Sequence, residues 1–208
     1  MARPTIRSYV AIGDSFTAGI DVEGPRWADE VATALGADVR YENLASIGAM
    51  SADVEREQLP RALELEPDVV SLICGANDVL LSVRPDPDAY ATCLARMFAR
   101  LAEVAPAATI VTATYPDLSR FRDLRPRSRA RVERGMREFN EICRTVAREH
   151  DVVLLEGFDH PEAERRGSFA ADGFHPSAEG HRRAAVEFVH ALRNRLGNRL
   201  HPMQEVTS

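Results

Sequence analysis

The stretch D-V-V-S-L-I-C, Asp68–Cys74, is apolar at almost every position and runs straight into Gly75-Ala76-Asn77-Asp78. A strand with one wet face alternates polar and apolar residues. A nearly continuous apolar run must instead be covered on both faces, as the central strand of a parallel sheet is. Similar short runs recur on either side: Tyr9–Ile12, Val39–Ala45, Thr109–Ala113 and Val152–Leu155 read as further strands. The longer segments between them place their apolar residues on one helical face. Trp27–Leu35 does so with Trp27, Ala28, Val31, Ala32 and Leu35, and Asp88–Ala105 with Tyr90, Leu94, Met97, Phe98 and Leu101. Ser51–Leu65, Arg127–His150 and about Ser177–Leu196 complete the helices. Strands alternating with helices of this length require right-handed crossovers and a parallel sheet covered on both faces. The pattern predicts one three-layer α/β domain over residues 1–208, with its core at about 8–196 and a frayed tail at 197–208. A chain of 208 residues, 45% hydrophobic, suits a single well-buried core.

Composition excludes several chemistries. All 26 basic residues are arginine, so there is no lysine for a Walker loop, a Schiff base or a pyridoxal phosphate site. A net charge of −6 argues against nucleic acid as a partner. The start, MARPTIRSYVAIGDS, has only a short apolar run, and no stretch approaches membrane-spanning length. Three cysteines, Cys74, Cys93 and Cys143, have no paired spacing and read as reduced, core-filling thiols. The expectation is a cytoplasmic protein acting on a small molecule, without a membrane or nucleic-acid partner.

Ligands bind open parallel sheets at the carboxyl ends of the strands, so the residues just beyond each strand matter most. Gly13-Asp14-Ser15 comes after the first strand, Ser46-Ile47-Gly48-Ala49 after the second and Gly75-Ala76-Asn77-Asp78 after the third. Thr114-Tyr115-Pro116-Asp117 comes after the fourth, and the loop beyond the fifth contains Asp172-Gly173-Phe174-His175-Pro176. A serine, glycine turns, a carboxamide, an aspartate and a histidine thus share one sheet edge. Acyl transfer needs these groups: a nucleophilic hydroxyl, an imidazole to take its proton, a carboxylate to orient the imidazole, and neutral donors aimed at an oxyanion.

GDSFT around Ser15, Gly48 after the second strand, GAND around Asn77 and DGFHP around His175 resemble the four signature blocks of the SGNH (GDSL-type) hydrolase family. They occur in the family's order and span Gly13 to about His181. The resemblance implies a flavodoxin-like α/β/α sandwich around a five-stranded parallel sheet, and an esterase needing no cofactor or metal. It implies Ser15 as nucleophile, His175 as general base and Asp172 as the residue orienting the imidazole. The Ser15 and Gly48 N–H groups and the Asn77 side-chain amide would form the oxyanion hole. The first block departs from the eponymous form by placing Phe16 where leucine stands.

Other readings of these residues are weaker. Asp172, His175, Glu179 and His181 lie close in sequence, but without the spacing of a zinc site. The first turn lacks the G-x-G-x-x-G pattern of dinucleotide binding, and Ser15 does not sit in G-x-S-x-G. Asp14 and Asp78 are expected to support their turns through backbone N–H groups, not to act in catalysis. Arg120–Arg137 holds eight arginines, read as a solvated face; the sharper reading sets Arg122, Arg125 and Arg127 at the mouth of the site, favouring anionic substrates. Hydrolysis of esters with small or medium acyl groups is the leading function. An acyltransferase or thioesterase with the same residues, acting on a carrier- or CoA-bound acyl group, is the alternative, and a non-catalytic binding module the third.

Overall fold

A computed structural model describes residues 6–20, 22–120, 124–157, 160 and 167–197. Its sheet has five parallel strands: β1 Ser8–Gly13, β2 Arg40–Asn43, β3 Val69–Ile73, β4 Thr109–Ala113 and β5 Val153–Leu155. Their order is β2-β1-β3-β4-β5. β1 and β3 are buried at every residue and pair in register from Tyr9↔Val69 to Gly13↔Ile73. The chain leaves β1 to one side to form β2, then returns past it to form β3 on the other. The loops at the carboxyl ends of β1 and β3 therefore diverge, which opens a crevice there.

The long helices are α2 Trp27–Leu35, α6 Pro87–Val104, α7 Pro126–Glu149 and α8 Ala178–Leu196. Their apolar faces pack in pairs, α2 on α8 and α6 on α7. Trp27 stacks on Phe188 with ring centroids 4.1 Å apart, and Tyr90 on Phe139 at 4.6 Å. With right-handed crossovers the two pairs cover opposite faces of the sheet, giving three layers. Cys74, Cys93 and Cys143 are buried and unpaired. Of the tail expected at 197–208, only Gly197 is among the described residues.

Three departures from the sequence expectation have local causes. The helix expected over Ser51–Leu65 is broken into α3 Ser51–Asp53, a π-helical turn Val54–Gln58 and α4 Leu59–Glu64. Pro60 has no N–H to give to the carbonyl four residues back, and its ring crowds that carbonyl; the widened turn, closed by Leu59 N–H on Val54 C=O, relieves both. β2 ends before Ala45 because the ladder loses a bond at Gly13, whose N–H goes to Gln58 Oε1 at 2.7 Å, while the Asn43 carboxamide accepts the Ala45 N–H at 3.1 Å. Two short helices, α1 Ser15–Ala18 and α5 Ala76–Leu80, start directly at strand ends and are too brief to show a period.

β1 stops where it does because of Gly13. Its φ is +147°, and a Cβ there would lie 2.0 Å from the Ile73 carbonyl oxygen. Gly13→Ala is expected to destabilise the fold by about 3 kcal/mol or more, through strain and a clash with backbone that cannot yield. A urea unfolding midpoint equal to that of the unmodified chain would contradict this account of the strand end.

Candidate active site

At the end of β1 the chain turns into α1. Asp14 caps that helix, its Oδ1 accepting the Phe16 N–H at 3.0 Å, while its own N–H donates to the Ile73 carbonyl at 3.1 Å. Ser15 is the first residue of α1 and is 4% exposed. The first N–H groups of a helix have no acceptor within it, and the Ser15 N–H is one of them.

His175 reaches Ser15 from the loop before α8. That loop is closed by a bridge between Phe169 and Pro176 and by Ala170 N–H donating to the His175 carbonyl at 2.8 Å. Asp172 Oδ1 accepts the N–H groups of Phe174 and His175 at 2.9 and 3.0 Å. Its Oδ2 lies 2.6 Å from His175 Nδ1, and His175 Nε2 lies 3.0 Å from Ser15 Oγ. Partial burial pushes the Asp172 carboxyl up, but the bonds from the His175 ring and from these two N–H groups outweigh it and hold its pKa below the ordinary value. With Asp172 ionised, Nδ1–H donates to it and Nε2 is left to accept the Ser15 hydroxyl proton. Phe16 packs edge-on against Tyr115 at 5.0 Å, with Phe174 and the His175 ring each 6.3 Å away. The phenylalanine that departs from the family's leucine thus belongs to an aromatic cluster beneath the imidazole.

The donors expected across the crevice are held by a separate network. Asn77, in α5, is buried and gives one N–H of its amide to the Ala49 carbonyl at 3.0 Å, which leaves the second for a ligand. Asp78 accepts the Ser51 N–H and hydroxyl at 2.9 and 2.6 Å, anchoring α5 to the start of α3. Gly48 sits in that loop with φ +79°. Gln58, from the π-helical turn, binds three groups: its Oε1 accepts the Gly13 N–H at 2.7 Å, and its Nε2 donates to the Gly13 carbonyl at 2.9 Å and to Ser46 Oγ at 3.0 Å. Ser46 N–H also donates to the Gly13 carbonyl, at 3.1 Å. The structure thus joins Ser15, His175 and Asp172 directly, and ties the loops of Gly48 and Asn77 to each other and to the end of β1. No direct bond links Ser15 to Gly48 or Asn77 among the described residues.

Sequence reasoning missed Gln58 and underread Tyr115. The Tyr115 hydroxyl donates to Asp14 Oδ2 at 2.5 Å, and Asn140 fixes the Tyr115 backbone by accepting its N–H and donating to its carbonyl, both at 2.9 Å. Asp14 is fully buried. Burial pushes its carboxyl up to about 7, against the lowering effect of the Tyr115 and Phe16 bonds and with the help of the nearby Asp78 charge.

The remaining candidates disperse. Glu179 pairs with Arg182 and with Arg183, the latter at 2.8 Å. The His181 ring is buried, accepts the Trp27 N–H at 3.2 Å, and is pushed down to about 4 by desolvation. These two do not converge with Asp172 and His175 on one point, and among the described residues no three metal-ligating side chains gather. Arg120 pairs with Asp117, Arg129 donates to the Ser119 carbonyl, and Arg137 pairs with Glu133. Arg125 and Arg127 are exposed at the start of α7; Arg122 lies outside the described residues.

Residues 11–183 match the sequence model of the GDSL-like Lipase/Acylhydrolase family. Among solved structures, a lipase/acylhydrolase from Enterococcus faecalis superimposes with a TM-score of 0.74 at 23% identity, covering 96% of this chain and 100% of its own. TesA does so with a TM-score of 0.73 at 23% identity, covering 90% and 99%. An acetyl xylan esterase from Geobacillus stearothermophilus, Axe2, gives 0.70 at 19% identity, covering 90% and 95%. No curated protein matches the chain in sequence.

The raised pKa of Asp14 carries a pH signature. Its folded value of about 7 stands above the ordinary 3.8, so folding favours the neutral form; that contribution is complete below about 4 and lost as pH rises through about 7. The groups facing Asp14 are Tyr115, Asp78 and Cys74, and the last has its own pKa pushed well up by burial. Asp14→Asn keeps an acceptor for Phe16 N–H and removes the titration. Urea unfolding at pH 5 and pH 8 should show wild type losing stability over this interval and the variant losing markedly less. Equal losses in both would mean that Asp14 does not titrate there.

Proposed function

We propose, from the premise that this chain belongs to the GDSL-like Lipase/Acylhydrolase family, that it hydrolyses carboxylic esters of small or medium acyl groups through an acyl–Ser15 intermediate. The observation that carries the reading is the unbroken chain Asp172 Oδ2–His175 Nδ1 at 2.6 Å and His175 Nε2–Ser15 Oγ at 3.0 Å. A carboxylate that orients an imidazole, and an imidazole placed to take a proton from a hydroxyl and later return it, are the working parts of a nucleophile with its general base.

In the first half-reaction Ser15 Oγ bonds to the ester carbonyl carbon as its proton moves to His175 Nε2. The imidazolium formed is stabilised by Asp172, which keeps its negative charge. Negative charge on the former carbonyl oxygen is met by the Ser15 N–H, the Gly48 N–H and the free Asn77 amide N–H. The tetrahedral species collapses, the carbon–oxygen bond to the alcohol breaks, and Nε2 returns the proton to the leaving oxygen. In the second half-reaction water gives a proton to Nε2 and attacks the acyl carbon. Ser15 Oγ departs and recovers that proton.

An apolar acyl group suits the crevice rim. Ile47, Leu81 and Val83 are 64%, 65% and 87% exposed, and they sit on the loops that carry Gly48 and come after Asn77. Val79, in contrast, is fully buried. The solved relatives include a lipase/acylhydrolase and an acetyl xylan esterase, consistent with ester substrates. A second reading, transfer from an anionic carrier- or CoA-bound acyl group, draws on the exposed Arg125 and Arg127 at the start of α7, whose first turn has no acidic residue.

The decisive assay is hydrolysis of p-nitrophenyl esters from acetate to palmitate, with a succinyl ester as the anionic member. Ser15→Ala should abolish turnover while retaining the circular dichroism of the fold. Asn77→Ala should lower turnover about a hundred- to a thousandfold, the cost of losing one oxyanion donor. Turnover that survives in Ser15→Ala would refute the nucleophile, and a strong preference for the succinyl ester that Arg125 and Arg127 control would favour the second reading.

A further inference from the structure

Within the arginine-rich stretch Arg120–Arg137, Arg131 bonds two backbone carbonyls outside its own helix. Arg131 Nη1 donates to the Val79 carbonyl at 2.6 Å and to the Ser82 carbonyl at 2.8 Å. These carbonyls belong to the last turn of α5 and the chain just after it. α5 has five residues, far too few to persist as a helix without support, so its position is set by whatever grips it. Its own Asn77 and Asp78 side chains tie its first turn to Ala49 and Ser51, on the chain that comes after β2. Its second half is held by α7.

Gly135 comes four residues after Arg131 and so shares its face of α7. A Cβ at Gly135 would lie 2.7 Å from Val79 Cγ1, so α7 approaches α5 as closely as an unsubstituted α-carbon permits. Val79, two residues after Asn77, is thus held at its carbonyl by Arg131 and at its side chain by Gly135. A guanidinium at the end of a helix also complements the partial negative charge of its terminal carbonyls.

We propose that Arg131 is a positioning residue for acyl transfer: by clamping the Val79 and Ser82 carbonyls it fixes α5, and with it the Asn77 carboxamide, where the oxyanion forms. The proposal rests on the reading of Asn77 as an oxyanion donor. Such a donor works only when it is already aimed, and small misplacements are expensive.

The test measures kcat and KM on p-nitrophenyl butyrate for Arg131→Gln, Arg131→Lys and Gly135→Ala, each with and without Asn77→Ala, and the thermal midpoint of every variant. Arg131→Gln should lower kcat about tenfold or more while KM changes less than about twofold, as for loss of an interaction made only in the transition state. Arg131→Lys, whose ammonium can donate to both carbonyls, should recover most of that loss. In the Asn77→Ala background, Arg131→Gln should cost less than about twofold, because the donor it positions is gone. Gly135→Ala presses on the same contact from another atom and should show the same dependence on Asn77; with Arg131→Lys it decides the matter if Arg131→Gln does not fold. An unchanged kcat in Arg131→Gln, or an equal loss with and without Asn77, would overturn the clamp. Asn77→Ala at full rate would remove Asn77 from the site and the clamp with it, whereas a slow Asn77→Ala beside a fast Arg131→Gln would overturn the clamp alone.

Discussion

The site depends on how β1 ends. At Gly13 both backbone polar groups are taken by one buried side chain: Gln58 accepts its N–H and donates to its carbonyl. The Ile73 carbonyl fills the space a side chain would need, and it receives the N–H of Asp14. The strand therefore cannot continue, and the chain turns through Asp14 into a helix whose first residue is Ser15. The same Gly13 carbonyl accepts the Ser46 N–H, and Gln58 binds the Ser46 hydroxyl, so the loop of Gly48 hangs from the same point. The turn of Ser15 and the loop of Gly48 are in this sense one unit. The π-helical turn forced by Pro60 delivers Gln58 to it, in keeping with the frequent use of such turns at functional sites.

Two aspartates near Ser15 have pKa values moved in opposite directions by their surroundings. Asp172 receives hydrogen bonds from the His175 ring and from two backbone N–H groups, which keep it ionised and suited to hold an imidazolium. Asp14 is enclosed, with Tyr115 as its side-chain partner, and burial favours its neutral form. Adjacency to Ser15 in sequence is no guide here. Asp14 bonds the turn itself, while Asp172 sits on a loop that meets Ser15 only in the folded chain.

Much of this was legible in the sequence because it rests on local pattern. DVVSLIC reads as a covered strand since it lacks a polar face, and β3 is buried at each residue. The residues just beyond the strands are enough to collect Ser15, Gly48, Asn77, Asp172 and His175, because a parallel sheet sends all its carboxyl ends to one edge. Buried polar partners were not legible. Gln58 and Asn140 look like surface residues of amphipathic helices, and only tertiary structure shows the backbone groups they satisfy. Arg131 was hidden among arginines that read as a solvated face; its acceptors lie 49 and 52 residues away, beyond any local period. Pro60 stood in plain view as a helix breaker, yet that the chain would answer with a widened turn depends on the strand it packs beneath.

The central claim is that Ser15, activated by His175, is the group that becomes acylated. It is tested most directly by treating the protein with a fluorophosphonate, weighing the intact chain and mapping the adduct by peptide mass. The account predicts a single adduct on Ser15, absent in Ser15→Ala and formed much more slowly in His175→Ala. An adduct on another residue, or undiminished labelling of Ser15→Ala, would contradict it.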